Sequence, residues 1–594
     1  MNLNAGPVQV FYENGFLRYL TIGGKEILRM IYFAVRDCDW NTSPINTANE
    51  QIEYSDNHFK ISYKVFTDFN GIKIDWLVSI SGERNGTITF SIDGTAQIDF
   101  LKNRTGLCIL HPIENVSGSR CIIRHTDDSE RIGRFPVMVS PHQPFKNIRS
   151  MQWHSADQAW FQLDFTGDIF ETEDQRNWTD ASFKTYCTPL DLPFPALVKK
   201  SDKISQTVIF RPLKAVVNTK SLIDQPPILI AKPMVRRFPI IGFGMNPSNQ
   251  TLQTAEVSFL KSIGLNYLRA DVYFTENNFA ETFKNDIEQA NLLGLPLELA
   301  LFFGDNPPDE AYQLIHLLGT DVGIIRSISL YESSSRQTTN ELLNQLVPVL
   351  RANFPGVNIG GGADANFAEF NRSRLSPELM DYVTFAMNPQ VHASDDLTLL
   401  ENMEGQGFAV KTALKIPGNK EVRVSPVTLK QRFNAVASKE PEERGRIPAS
   451  DVRQTSFFTA AWALGSVKYL AEAGAAAITF FETTGERGVC WGNSIFPVGY
   501  FFRMLMDFKP DIVIPVSCGL PLKVSALLLQ KNDKKRLIVA NHTSHEQSIY
   551  VPEEIQFSVL STLDAGGGTN TYNIAPTLKK LNVPVEKFLI LDEG

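Results

Sequence analysis

Ala475-Ala-Ala-Ile-Thr-Phe-Phe-Glu-Thr-Thr-Gly-Glu-Arg-Gly488 is the stretch on which the fold turns. Its apolar first half carries β-branched and aromatic residues, then breaks at Glu482 into Thr483, Thr484, Gly485, Glu486 and Arg487. A strand packed on both faces reads as a continuous apolar run and turns polar where it leaves the sheet. Upstream, Phe457–Gly474 reads as a helix rich in Ala, Leu and Trp that ends on a glycine, as helices often do. Helix, buried strand and polar loop make the closing unit of a (β/α)8 barrel. In that architecture Glu482 stands on the C-terminal rim, where such barrels keep their chemistry.

Working back from this unit, strict alternation sets in after a Pro-rich stretch. Strands are expected over Ile240–Asn246, Tyr267–Phe274, Leu297–Phe303, Ile324–Tyr331, Val357–Gly362, Tyr382–Met387 and Val422–Val427. Helices are expected over Leu252–Ile263, Phe279–Leu293, Asp309–Leu318 and Thr338–Asn353, with another beginning at Thr398–Glu404. The barrel is assigned to residues 236–510. Gly360-Gly-Gly362 has no Lys-Ser/Thr after it, so it predicts a close-packing turn rather than a phosphate loop.

Residues 1–215 hold many short strand-like runs, among them Val8–Tyr12, Phe59–Phe66, Ile72–Ile80 and Trp160–Asp164, with Gly, Asn and Asp turns between them. No helices intervene, which predicts a β-sandwich. Residues 216–235 read as a linker, and 511–594 as a small C-terminal β domain with strands at Lys523–Leu529, Arg536–Asn541 and Ser548–Val551. The expected protein is therefore multidomain, all-β and α/β, with a central TIM barrel between two β domains.

Composition narrows the function. The 594 residues are 43% hydrophobic and 21% charged, with a net charge of −8 and a pI near 5.7. An acidic chain without a basic face does not suit nucleic acid, whose binding depends on counterion release. No apolar run approaches the ~20 residues of a membrane span, and the N-terminus lacks the basic and apolar regions of a signal peptide. Six cysteines lie far apart with no C-x-x-C pair, which points to reduced thiols rather than a standard zinc motif. A cytoplasmic protein without cofactor or metal is expected, and nothing in the sequence specifies an oligomeric state.

The strand ends supply the candidate site. Arg269 and Asp271 lie on the second strand, Glu298 on the third, and Glu332 ends the fourth. The fifth opens into Asp364 and Asn366, and the sixth into Asn388, Gln390 and His392. A ring of carboxylates, amides, one His and one Arg suits a small polyhydroxylated substrate. Arg269 and Asp271, with Glu298 beside them, have a structural alternative as a buried ion-pair network. Glu332 and Glu482 each end an apolar strand, where a carboxylate is costly unless used or paired. A metal held by Asp271, Glu298, Glu332 and His392 is an open alternative that no H-x-H or H-E-x-x-H spacing supports. Outside the barrel, Glu171–Tyr186 is the densest polar stretch. Its Arg176 and Trp178 suit a polyol-binding surface, with a solvated, self-paired loop as the alternative.

Two rim glutamates on a barrel suggest a glycoside hydrolase, whose large retaining clan carries Asn-Glu on strand four and Glu on strand seven. Here strand four ends in Tyr331-Glu332 and strand seven offers only Ser425 and Thr428, so a retaining carboxylate pair about 5 Å apart is not in view. The glycosidase reading stays open as an inverting or degenerate variant acting on short oligosaccharides, and a non-catalytic carbohydrate-binding protein on a retired glycosidase barrel is a further alternative.

Four segments, Glu173-Asp-Gln-Arg-Asn-Trp-Thr-Asp-Ala-Ser-Phe-Lys-Thr-Tyr186, Asn388-Pro-Gln-Val-His-Ala393, Asp451-Val-Arg-Gln454 and Phe480-Phe-Glu-Thr-Thr-Gly485, resemble the D-apionate lactonases of bacterial apiose catabolism. The order of β domain, barrel and β domain resembles that family too. The resemblance implies hydrolysis of D-apionolactone to D-apionate and brings no residue roles with it. A lactonase needs a base for water, groups that steady the oxyanion, and an acid for the leaving alkoxide. From the strand-end positions we expect Glu482 as base and His392 or Glu332 as acid. Arg269 and Asn388 are expected at the carbonyl oxygen, with Gln390, Asp364 and Asn366 on hydroxyls.

Overall fold

The structure, a computed structural model, describes residues 1–154, 159–213, 228–230, 235–248, 250–319, 321–416, 418–435, 450–552 and 554–593. The chain divides into two compact units: one holds the N-terminal β domain, the other the barrel, the C-terminal β domain and the short segment Asn177–Asp180.

The N-terminal unit is the expected β-sandwich, built on a 16-stranded sheet, with one short helix, Ile113–Val116, not expected from the sequence. Phe59–Phe69 and Ile72–Gly82 pair antiparallel along their full length and alternate buried with solvated side chains. That alternation is the period-2 signature of a sheet packed on one face. Phe33, Phe59, Trp76 and Phe90 fill the interior. The polar stretch is self-paired, as one of the two expectations had it, but it is buried rather than solvated. Phe170–Asp174 and Ser182–Tyr186 pair antiparallel as buried strands, joined through a 3-10 turn at Gln175–Trp178. Their charges are satisfied internally: Lys184 Nζ donates to Glu173 (2.8 Å), and the Tyr186 hydroxyl donates to Glu171 (2.6 Å).

In the second unit eight parallel strands close a barrel: β1 (Ile240–Gly244), β2 (Tyr267–Tyr273), β3 (Leu297–Phe303), β4 (Ile325–Glu332), β5 (Asn358–Ala363), β6 (Tyr382–Met387), β7 (Glu421–Val427) and β8 (Ala477–Thr484). Closure runs through β1 and β8, with Ile240 opposite Ala477. The helices α1 (Thr254–Ile263), α2 (Phe279–Leu293), α3 (Pro307–Leu318) and α4 (Asn340–Asn353) follow the first four strands. Phe457–Ala473 precedes β8 and is buried almost throughout. The seam between β1 and β8 carries an irregularity. Gly242 and Phe243 face Thr479 and Phe480, but Gly244 faces Glu482, so Phe481 is the extra residue of a bulge at φ 43°.

The Gly360-Gly-Gly362 run lies inside β5 rather than in a turn, though close packing is its role. A Cβ on Gly360 would sit 2.4 Å from the Tyr382 ring, and one on Gly362 would sit 1.8 Å from the backbone oxygen of Thr384.

The C-terminal β domain is a seven-stranded sheet with a core that includes Leu528, Leu537, Val539, Leu589 and Leu591. It also recruits chain from before the barrel. Arg236–Arg237 pairs with Ile512–Ile514, and Ile228–Ile230 forms a two-stranded ribbon with Val516–Cys518. The linker expected over 216–235 otherwise falls outside the described residues, save Val235. Among the described residues no helix is long and apolar enough to cross a membrane.

The packing around β5 yields a stability prediction. Gly362→Ala is expected to destabilise the barrel by about 1–3 kcal/mol, the usual cost of overpacking, because backbone rather than a movable side chain stands in the way. Thermal melting followed by circular dichroism should show a lowered apparent Tm; an unchanged Tm would contradict the close approach.

Candidate active site

Eight converging strands force polar side chains from distant parts of the chain toward one end of the barrel. The innermost layer is closed and structural. Glu298 accepts hydrogen bonds from Arg423 (3.1 Å), Ser327 (3.2 Å) and Ser425 (3.1 Å), and the Arg423 guanidinium lies 3.6 Å from the centre of the Tyr382 ring. Glu298 therefore serves the buried network rather than the open rim.

Above it Arg269 of β2 forms a hub. Its Nε donates to Asp271 (2.7 Å), one terminal nitrogen to Asp364 (2.5 Å) and the other to the Ser425 hydroxyl (3.1 Å). Arg432, from the loop after β7, bonds to Asp271 and reaches Asp364 at 3.4 Å. Arg336 donates to the Tyr273 hydroxyl at 2.7 Å. Burial pushes the Asp271 carboxyl up, but Arg269 and Arg432 outweigh it and hold Asp271 well below the usual carboxylate range.

This hub floors a cavity of about 220 Å³ whose walls include Asn246, Arg269, Asp271, Asp286, Asp364, Arg432, Glu482 and Arg487. Glu482 owes its place there to the bulge. Without an extra residue, strict alternation from inward-facing Thr479, whose hydroxyl bonds Tyr267 and Ser425, would turn position 482 outward. Phe481 instead packs against Trp462 and Phe502 of the helical layer, and Glu482 faces in. Both hydrogen bonds that Arg487 donates to Glu482 fall on Oε1, at 2.9 and 2.6 Å; Oε2 has no hydrogen-bond partner among the described residues and is not fully enclosed, and Glu482 belongs to the cavity wall. Burial raises the Glu482 pKa, with Arg487 and Arg432 pulling the other way.

The other expected residues lie elsewhere. Glu332 accepts a hydrogen bond from Ser335 (3.0 Å) and lines an adjoining cleft of about 680 Å³, which shares Tyr273, Glu276 and Arg336 with the cavity. His392 lines neither hollow. Its Nδ1 bonds Asp180 at 2.7 Å and its ring stands edge-on to Trp178, which also lies under Arg372. Asn388 donates to Asn366 (3.3 Å), and both are buried outside the cavity wall. Gln390 donates to Leu429 O and to Asp451, each at 2.7 Å, and so ties loops together. Arg176, in the N-terminal unit, is fully buried against Asp174 and the carbonyl oxygens of Pro136, Val137 and Met138. Among the described residues no group of three or more His, Cys, Asp or Glu is arranged to hold a metal ion.

Sequence reasoning missed Arg432, Arg336 and Asp286. The two arginines sit in loops, where no periodicity marks them. Asp286 left a trace: it interrupts the buried face of α2 formed by Phe283, Ile287, Ala290 and Leu293.

Two family models match in chain order: the N-terminal domain of D-apionate lactonase over residues 1–214, and its TIM barrel domain over residues 241–510. A D-apionate lactonase of Brucella anthropi is 29% identical over 516 residues, covering 83% of this chain and 84% of its own. Among solved structures, a GH30 endoxylanase of Clostridium papyrosolvens matches at 9% identity and TM-score 0.44, over 62% of this chain and 100% of that one. A conserved exported protein of Bacteroides fragilis matches at 10% identity and TM-score 0.45, with the same coverage. Likenesses that distant bear on neither fold nor chemistry. The two family matches together span most of the sequence, and on them the chain belongs to the D-apionate lactonase family.

Proposed function

We propose that this protein is a hydrolase that opens a small sugar lactone, D-apionolactone by family membership, at the cavity on the barrel rim. The observation that carries the reading is Glu482: a buried carboxylate in the wall of an arginine-lined cavity, with one oxygen held by Arg487 and the other without a hydrogen-bond partner among the described residues. Glu482 Oε2 takes a proton from water as the water oxygen attacks the lactone carbonyl carbon. The guanidinium groups of Arg432 and Arg269 lie in the same wall, where negative charge builds on the carbonyl oxygen. Asp271 and Asp364 keep those arginines fixed, so that little reorganisation is needed when the charge develops. A cavity of about 220 Å³ suits a single small ring rather than an oligosaccharide. The glycosidase alternative is weakened at β7, whose inward residue is Ser425, hydrogen-bonded to Glu298, rather than a second carboxylate.

Offered D-apionolactone and related aldonolactones in a pH-stat, the protein should release acid; aryl glycosides should release no phenol. Glu482→Gln is expected to lower kcat/KM by about 10²- to 10⁴-fold, and Glu332→Gln by less than about tenfold, with both proteins folded. Comparable losses in the two variants would move the chemistry to the adjoining cleft.

A pH profile tests the state of the base. Glu482 acts when deprotonated and its pKa is raised, so kcat/KM should climb with pH through a midpoint above the ordinary glutamate value of 4.5. Arg487 favours the ionised form, and Arg487→Met should therefore move that limb to higher pH. An unmoved or lowered limb would remove Glu482 as the titrating base.

A further inference from the structure

Asp286 is a cavity carboxyl that water attack and oxyanion binding leave idle. It sits on α2 and is 4% exposed, yet it belongs to the cavity wall. Among the described residues it has neither a hydrogen-bond partner nor an ion pair. Its oxygens are not sealed in protein either, since neither is among the fully enclosed unpartnered atoms. A carboxyl that is buried, unpaired and open to a cavity is expensive to keep, and a helix in that position would normally carry an aliphatic residue.

The surroundings define its chemical state. Burial, then the negative charge of Asp271 on β2, raises the Asp286 pKa well above the ordinary aspartate value. The other charged groups nearby do not counter this. Glu256 of α1 accepts the backbone N–H groups of Gln253 and Gly492, at 2.8 Å each. Glu276 and Glu482 are acids, Arg269, Arg432 and Arg487 are engaged with Asp271, Asp364 and Glu482, and Arg336 donates to the Tyr273 hydroxyl. One carboxyl of the cavity is thus favoured as the neutral acid while Asp271 stays ionised. Environments that push neighbouring carboxyl pKa values apart are how a site separates acid from base.

We propose that Asp286 is the proton donor of this site, protonating the ring oxygen that leaves as the lactone opens. The inference rests on the lactone-hydrolase reading and supplies the acid that Glu332 and His392, outside the cavity wall, do not. Water oxygen bonds to the carbonyl carbon while Glu482 takes its proton. The bond from carbonyl carbon to ring oxygen then breaks, and the ring oxygen keeps the electron pair and takes the proton of Asp286. Glu482 loses its proton to solvent and Asp286 regains one, so the net change is lactone plus water to hydroxy acid.

The test compares leaving groups. An aliphatic sugar lactone expels a basic alkoxide and needs the acid; dihydrocoumarin expels a phenoxide and scarcely does. Asp286→Asn is expected to lower kcat/KM about 100-fold on the sugar lactone and less than about tenfold on dihydrocoumarin, and to abolish the alkaline limb of the pH profile. Without any substrate, infrared difference spectra of the two proteins at pH 7 should show a protonated carboxyl band present only with Asp286. Three results would each overturn the assignment: unimpaired Asp286→Asn, equal losses on both substrates, or no such band. A wild-type protein inert toward every lactone would instead sink the hydrolase reading itself, and this role with it.

Discussion

A guanidinium that is 2% exposed cannot stand alone in a protein interior. Desolvating such a cation costs several kcal/mol, and only close anions and complete hydrogen bonding offset it. Arg269 sets that requirement at the floor of the barrel, and Asp271, Asp364 and Ser425 answer it from β2, the end of β5 and β7. Removing either aspartate would leave an uncompensated buried charge. The hub therefore fixes where three strands end relative to one another, which a sheet of apolar strands alone would not do to the same accuracy. Arg432 joins the same hub, so a loop with no regular structure is tied to the strands through Asp271 and Asp364.

The division of labour among the carboxyls follows from that hub. Asp271 and Asp364 are both consumed in neutralising arginines, and Asp271, held far below the usual carboxylate range, has little tendency to accept a proton. Glu482 is held by one arginine through one oxygen and remains raised, which leaves it basic enough to take a proton and free enough to do so. Asp286 has no cation partner among the described residues and sits at the opposite extreme. Acids of one chemical type thus span a range of behaviour because the distribution of arginines among them is unequal.

Much of the architecture was legible because strands packed on both faces, and helices with one apolar stripe, leave unmistakable periodicities. The limits of α2, β3 and β6 are those read from the sequence, since Gly294 and the flanking polar residues end those runs abruptly. The Glu171–Tyr186 segment was misread for a physical reason. Its density of charge predicts solvent, but Glu171, Glu173, Asp174, Arg176 and Lys184 find partners within the hairpin and Asp180 finds His392, so the segment is buried instead. Pattern reading can anticipate that such charges pair, but not that the pairing lets the strands that carry them be buried. The same blindness hid Arg432 and Arg336, whose importance lies in what they reach across space.

Position at a strand end is necessary for joining the cavity and is not sufficient. Glu332 and Glu482 both close apolar strands and look equivalent in sequence, yet they open into different hollows. What separates them is orientation, and orientation depends on the parity of residues since the last inward-facing side chain. On β8 the bulge at Phe481 changes that parity: it sends a large aromatic side chain out to Trp462 and Phe502 and brings the carboxylate in. The outward packing of Phe481 supplies the apolar contacts that hold a non-glycine residue at positive φ. The site thus depends on a residue outside the polar set, one that a search of the sequence for acids and bases would pass over.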